Sequence, residues 1–286
     1  MKKQQFILVG AGIVLFLLIY FFGVTTPLAK KTAVVTAGAE ATGAPKKIDA
    51  AVIITAAKQK LSPNRQAYVS GLENAVVRGD VKDQQIKVYH QLADFWRDSV
   101  QFFEPYAYYT GAAAKLENSE KSLTFAARQF LNELKGTNQP AVKQWMADEA
   151  KDLFEKALVI NPSNDSSAIG LGSCYIFGST AGDPQEAMMG IQKILAVAKK
   201  DSTNMYAQLM LGIGGVVSGQ MDKAVERLKR VVDNEPRNLE AIFMLAEAYE
   251  RQGNKAAAVY WYEAGKKYIA NPQMVGEINE KIKTLK

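Results

Sequence analysis

The sequence predicts an all-α protein: a solenoid of helix–turn–helix repeats, preceded by a single N-terminal transmembrane helix. Three observations carry this reading. Leu211, Gly219 and Ala224 return as Leu245, Gly253 and Ala258, each 34 positions on, with helix-forming sequence in between; self-similarity at such a period marks stacked supersecondary units. Small and large residues occupy the places where neighbouring helices of such a stack must cross. From Phe6 to Phe22 every residue is apolar, glycine or tyrosine.

Residues 1–5 form a short basic N-terminus carrying Lys2 and Lys3, and residues 6–24 form the anchor. Thirteen of the seventeen residues between Phe6 and Phe22 are Phe, Ile, Leu or Val, worth about −4 to −8 kcal/mol on an insertion scale. Gly23 and Val24 bring the run to spanning length, and Pro27 lies just beyond. A cleaved signal peptide is the competing reading, but the run is long and the nearest Ala-Gly-Ala, at 37–39, lies far past it. Lys2 and Lys3 favour a cytoplasmic N-terminus, although Lys30 and Lys31 stand on the other side. The expectation is a single-pass membrane protein with its body in a bacterial periplasm.

Residues 25–47 are rich in Ala, Thr, Gly, Pro and Lys and contain no aromatic residue. Such a stretch cannot bury enough surface to fold and reads as a flexible linker with an average reach of roughly 27 Å. The charge of the chain is concentrated here. Formal net charge is +6, yet residues 1–47 hold six lysines against Glu40 alone, which leaves 29 bases and 28 acids in the remainder. A near-neutral body argues against nucleic acid as a partner.

Residues 48–140 read as divergent helical hairpins. A helix is expected over about 64–77, with Arg78-Gly79-Asp80 as the turn after it. Ile86, Tyr89, Ala93, Trp96, Val100 and Phe103 then advance in steps of three and four, which predicts one long amphipathic helix. Glu104-Pro105 breaks the pattern and starts a helix with Tyr108, Gly111 and Ala112; another covers 120–135, and 136–140 is a loop. Phe95, Trp96, Phe102, Phe103, Tyr106, Tyr108 and Tyr109 crowd together; lining a ligand groove is one reading, and filling the core between hairpins is the ordinary use of such residues.

Residues 141–272 hold the repeats. Gly172, Gly212 and Ala246 follow Leu171, Leu211 and Leu245 as small residues of first helices, with Tyr175 and Tyr249 as bulk one turn later. Ala224 and Ala258 are the small residues of second helices, followed by Leu228 and Tyr262. Gly219 and Gly253 close the first helices, where a left-handed residue is needed, and Pro162 and Pro236 mark turns between units. Ala150, Phe154, Ala157 and Pro162 repeat the second-helix pattern over Trp145 to Ile160, and the unit that follows is stretched by an insertion at 178–184. After Pro272, residues 273–286 place Met274, Ile278, Ile282 and Leu285 on one stripe, as a C-terminal capping helix requires.

The 34-residue period and this alternation of small and large residues resemble the tetratricopeptide repeat family over roughly 145–270, in a membrane-anchored bacterial form. The tryptophan usual in the first helix is replaced by Gln208 and Ile242. The resemblance implies a binding surface on the concave face, formed by the second, fifth, ninth, twelfth and thirteenth positions of each unit. Counting from Asp165, Met205 and Leu239, these are Ser166, Ile169, Ser173, Ile176 and Phe177; Tyr206, Leu209, Ile213, Val216 and Val217; and Glu240, Phe243, Glu247, Glu250 and Arg251. The first two rows contain no base, so the Lys/Asn/Arg clamp by which some family members hold a C-terminal carboxylate is absent. An apolar groove of this kind takes an amphipathic segment of a protein partner, is filled by the chain's own helices, with Ile48 to Lys60 a candidate filler, or is covered by a second copy in a homo-oligomer.

No catalytic, cofactor or metal constellation is expected. His90 is the only histidine and Cys174 the only cysteine, which excludes an intrachain disulfide and a thiolate metal site. Gly170-Leu-Gly and Gly212-Ile-Gly-Gly lie in predicted helices, whereas a phosphate loop follows a strand. The expected function is a non-catalytic scaffold or chaperone-like adaptor at the membrane surface, and the alternative a self-associating structural protein.

Overall fold

The computed structural model describes residues 48–78, 81–134, 136–178 and 184–286. The basic N-terminus, the anchor at 6–24, the linker at 25–47, Gly79 and Asp80 of the expected turn, and 179–183 of the insertion lie outside the described residues. Within them the chain is helical, with no strand, and no helix is long and apolar enough to cross a membrane. The helices fall into two compact units that divide between Asp183 and Pro184. Helices from 140 to 178, which the period assigns to the repeat region, group with the upstream helices.

The first unit contains α1 (Ala50–Lys58), α2 (Pro63–Arg78), α3 (Lys82–Asp94), α4 (Phe103–Glu117), α5 (Glu120–Leu134), α6 (Pro140–Ile160) and α7 (Asp165–Gly178). Asp49 caps α1, its Oδ1 accepting from the Ala51 amide at 2.8 Å, the usual remedy for an orphan N–H at a helix start. Consecutive residues of α1 serve two cores. Ile53 joins Leu123, Phe130, Trp145, Leu153 and Phe154, while Ile54 joins Val69, Leu92, Trp96, Phe102 and Tyr109. The segment Ile48 to Lys60, expected as a candidate filler of the concave groove, packs on α4 within this unit.

The single long helix expected over 86–103 does not form. α3 stops at Asp94, Phe95–Val100 opens into a π-helical turn, Gln101 takes a left-handed φ of 63° and Phe102 is extended before α4 begins. The aromatic residues supply the reason. Trp96 is fully buried and stacks on Phe102 with ring centroids 6.0 Å apart, with Phe95 edge-on at 5.6 Å. Burying large rings outweighs regular helix hydrogen bonds over one turn. Phe102 and Tyr109 are buried with Trp96, while Phe95, Phe103, Tyr106 and Tyr108 are half-buried.

α5, α6 and α7 pack each on the next, and α5 also touches α7. α6 begins at Pro140, five residues ahead of the expected Trp145, because proline suits a first helical turn. Gly170, within α7, lies directly under the Phe154 ring, and a Cβ there would overlap it. Close packing therefore accounts for the Gly170-Leu-Gly sequence. Cys174 is fully buried in the same core, and burial pushes its thiol up to about 12.

The second unit contains α8 (Pro184–Lys200), α9 (Met205–Val217), α10 (Met221–Asn234), α11 (Leu239–Arg251), α12 (Lys255–Lys266) and α13 (Pro272–Leu285). The starts of α9 and α11 are 34 residues apart, as are those of α10 and α12. Adjacent helices pack in chain order, and α9 also meets α11. Gly219 and Gly253 share a φ of +78°. Each closes the same double bond pattern: Gln220 N–H to Gly215 O at 2.8 Å and Gly219 N–H to Val216 O at 3.3 Å, against Asn254 to Tyr249 and Gly253 to Glu250, both 2.9 Å. This is the Schellman ending, which satisfies carbonyls the helix leaves open.

A Cβ on Gly212 would stand 2.7 Å from Leu228 Cγ, and one on Gly265 2.6 Å from the Phe243 ring. Each glycine thus marks a helix crossing against a large residue. Ile278, Ile282 and Leu285 of α13 turn inward onto the last repeat, while Lys283 and Thr284 face solvent.

Candidate functional site

The first positions assumed for the three units, Asp165, Met205 and Leu239, are the first residues of α7, α9 and α11. Asparagine sets all three starts. Asn164, Asn204 and Asn238 accept through Oδ1 from the Ser167, Ala207 and Ala241 amides at 2.9 to 3.0 Å. Each closes a tight turn, its own N–H donating to Asn161, Asp201 or Glu235 carbonyl oxygen. The caps fix the rotational phase of each first helix, and with it the direction in which every concave position points.

In the second unit the middle of the concave stripe is buried. Leu209 is 5% exposed, Ile213 4%, Val216 1% and Phe243 7%. α9 is enclosed because α8, α10 and α11 all pack on it, and residues 207–216 are buried without interruption. Tyr206, Glu240 and Glu250 are half-buried, and Val217 and Arg251 exposed. In the first unit, Ile169, Ser173 and Ile176 of α7 are buried, the Ser173 hydroxyl donating to the Ile169 carbonyl at 2.9 Å, while Ser166 and Phe177 are half-buried. The positions left accessible in the second unit, aromatic Tyr206, aliphatic Val217 and charged Glu240, Glu250 and Arg251, form a rim of mixed chemistry beside an apolar floor.

Arg251 and Glu250 of that rim are held by two separate groups of contacts. Arg251 Nη2 lies 2.6 Å from Glu247 Oε1, a close ion pair without the alignment of a hydrogen bond, and its Nη1 donates to the Val216 carbonyl at 3.1 Å. One repeat is thereby tied to the end of a helix in the previous one. Burial raises the Glu247 carboxyl above its ordinary range, against the pull of Arg251. Glu250 accepts from Tyr262 at 3.1 Å and from Lys281 of α13 at 2.6 Å. Burial, and Glu250 beside it, keep the Tyr262 phenol protonated by raising its pKa.

Sequence reasoning missed the asparagine caps and the reach of Lys281 into the rim. The caps had a signal, since Asn204 and Asn238 stand 34 apart just ahead of each first helix. Lys281 had none, because nothing in the spacing of α13 shows which acid it meets. Gln208, in the position usually held by tryptophan, is buried, donating to Ser202 O at 3.0 Å and accepting from Arg227 at 2.7 Å. His90 is an exposed partner of Glu117 at 2.7 Å. Among the described residues no group of three or more His, Cys, Asp or Glu could hold a metal ion.

Helices packed in chain order, with a recurring cap and a recurring ending, define a helical repeat protein. Residues 209–273 match the model of the tetratricopeptide repeat family. Among solved structures, MamA (41-end) from Desulfovibrio magneticus RS-1 is similar at 17% identity over 66% of this chain and 96% of that one, with a TM-score of 0.45. YrrB, a TPR protein with an unusual peptide-binding site, is similar at 16% identity over 74% of this chain and 99% of that one, with a TM-score of 0.42. No curated protein matches the chain.

Proposed function

We propose that the chain is a non-catalytic, membrane-anchored scaffold or chaperone-like adaptor that holds a protein or amphipathic peptide segment on the rim of its second unit. The observation that carries this reading is the pairing of a fixed repeat geometry with accessible rim residues of mixed chemistry: Tyr206, Val217, Glu240 and Arg251. The floor, Leu209, Ile213, Val216 and Phe243, gives the rim its shape and stays in the core. The uncharged run at 6–24 supports a retained anchor with the N-terminus in the cytoplasm and the body in a periplasm.

Tagged full-length protein, crosslinked in its native membrane and recovered, tests the partner. Tyr206→Ser with Glu240→Lys is expected to lose the crosslinked partner while melting like wild type, and undiminished recovery sinks the rim reading. A reporter active only in an oxidising compartment, fused after Lys286, is expected to work, and a soluble form beginning near Ala29 defeats the retained anchor. The second reading, a self-associating structural protein, draws on the burial of Leu209, Ile213 and Val216, which leaves no open apolar groove for a guest. Sedimentation of the full chain separates the two: a dimer that the rim substitutions dissociate supports the second.

A further inference from the structure

A cavity of about 280 Å³ opens between α1, α2, α3 and α4, well outside the repeats. Ile54, Val76 and Leu92, all buried, line its apolar part. Tyr89, Tyr108 and Tyr109 add aromatic walls, and Ala51, Thr55 and Val77 are exposed lining residues at its mouth. Its two charges are Lys58 and Glu73, which form an ion pair with each other. The Tyr109 hydroxyl donates to the second Glu73 oxygen at 2.7 Å, so both carboxylate oxygens are engaged. The cavity therefore offers a guest no unmatched charge, and splitting the pair to bind an ion would cost the charge left behind.

What the cavity does offer is apolar and aromatic surface and two phenols. Neither Tyr89 nor Tyr108 makes a hydrogen bond through its hydroxyl among the described residues, and burial raises both pKa values, so they remain neutral donors. Tyr108 meets Tyr109 edge-on at 5.2 Å between centroids and Tyr89 lies 6.3 Å from Tyr109, spacings at which aromatic rings attract. An apolar cavity of roughly 150 Å³ already holds a benzene ring, and pockets for whole drug-sized ligands run from about 300 Å³ upward. The size suits one ring with a few further atoms.

We propose that this cavity is a second binding site, which receives a single uncharged aromatic side chain, such as phenylalanine, from a partner protein. Val77 decides between a side chain and a free small molecule. It lines the cavity yet is 84% exposed, so a molecule held inside would leave it wet, whereas a peptide backbone crossing the mouth covers it. The site lies in the first unit and does not depend on the repeat rim.

The test uses the full chain in lipid nanodiscs, with binding read by saturation-transfer NMR and the signal of empty nanodiscs subtracted. The probes are acetyl-Ala-Ala-Phe-Ala-Ala-amide, the same peptide with Glu or Lys at its centre, and 4-methylphenol. Thr55→Trp fills the cavity from its exposed mouth, and Val77→Asp makes the mouth polar without touching the interior. The Phe peptide is expected to bind wild type and to weaken about tenfold in both variants, while 4-methylphenol weakens only in Thr55→Trp. Phe-peptide binding that is equal in wild type and Val77→Asp overturns the proposal. So does a Glu or Lys peptide that binds as well as the Phe peptide, or 4-methylphenol binding where the Phe peptide does not, which would make the cavity a small-molecule site. Glu240→Lys, which alters the repeat rim, is expected to leave all of these signals unchanged.

Discussion

Residues 50–117 and 205–266 are both built from helical hairpins, yet they are held in shape by different means. In the repeat segment the devices recur at a fixed distance: asparagine caps at 204 and 238, and left-handed glycines at 219 and 253. In the upstream segment each turn is solved once. Asp49 caps α1, a π turn leads into Gln101, and Trp96 stacked on Phe102 holds the break in place. The repeat segment takes its geometry from backbone endings, and the upstream segment from ring packing. Substitutions that attack endings should therefore act equally on both repeats, and those that attack packing should act locally.

The largest effect is expected from Leu209→Glu or Ile213→Glu. Both side chains are at most 5% exposed, so a carboxylate there is buried without a designed partner and should cost several kcal/mol. Chemical denaturation reads this directly, and a wild-type midpoint would mean that the concave floor opens in solution.

Gly170→Ala and Gly212→Leu come next, at about 1–3 kcal/mol each, because the added atoms meet Phe154 and Leu228. Gly111→Ala is the contrast. Its Cβ would sit 3.5 Å from Leu153 and Phe130, an ordinary contact, so this change is expected to raise stability by about 0.5–1 kcal/mol. Thermal melts that rank Gly111→Ala with the other two would erase the distinction between crossing and non-crossing glycines.

Gly219→Ala and Gly253→Ala should each cost about 1–2 kcal/mol, since both residues hold φ at +78° and nothing lies near enough to clash. Asn204→Ala and Asn238→Ala should cost about 1 kcal/mol each through the lost cap. The sharp expectation is equality within each pair, and a twofold inequality would show that the two repeats are not mechanically equivalent.

The smallest effect is a pH dependence. The folded carboxyl of Glu247 titrates above its ordinary 4.5 because burial disfavours the charge. The folded state therefore holds this proton more tightly than the unfolded chain, and its contribution is present at low pH and lost as pH rises through the raised value. Glu247→Gln should flatten that loss in melts run between about pH 4 and 7, and an unchanged slope would assign the pH dependence to other groups.

The repeats were legible because their determinants are local and recur: a left-handed glycine, a crossing residue and a turn proline each have a fixed place in the period. The first positions Met205 and Leu239, set by that period, coincide with the starts of α9 and α11. The break at 95–102 was not legible, since Trp96 and Val100 sit at helical spacing and only the tertiary stacking of Trp96 on Phe102 overrides it. The same limit applied to the concave stripe. Spacing identified which residues share a face, but burial of Leu209 and Ile213 depends on helices that arrive from elsewhere in the chain. The linkage of Glu250 to Lys281, and of Glu73 to Tyr109, likewise joins residues 31 and 36 positions apart with no periodic signal.

Cys174, sealed in its core with a thiol pushed up to about 12, has a practical corollary. A thiol that is neither reachable nor ionised at neutral pH does not react with maleimides or exchange with disulfides. The native chain therefore needs no cysteine removed before probes are attached. A single cysteine introduced at an exposed position, such as Val217 or Val77, becomes the one reactive handle on the molecule, so that distances and accessibilities can be measured on an otherwise wild-type background in oxidising or reducing surroundings alike.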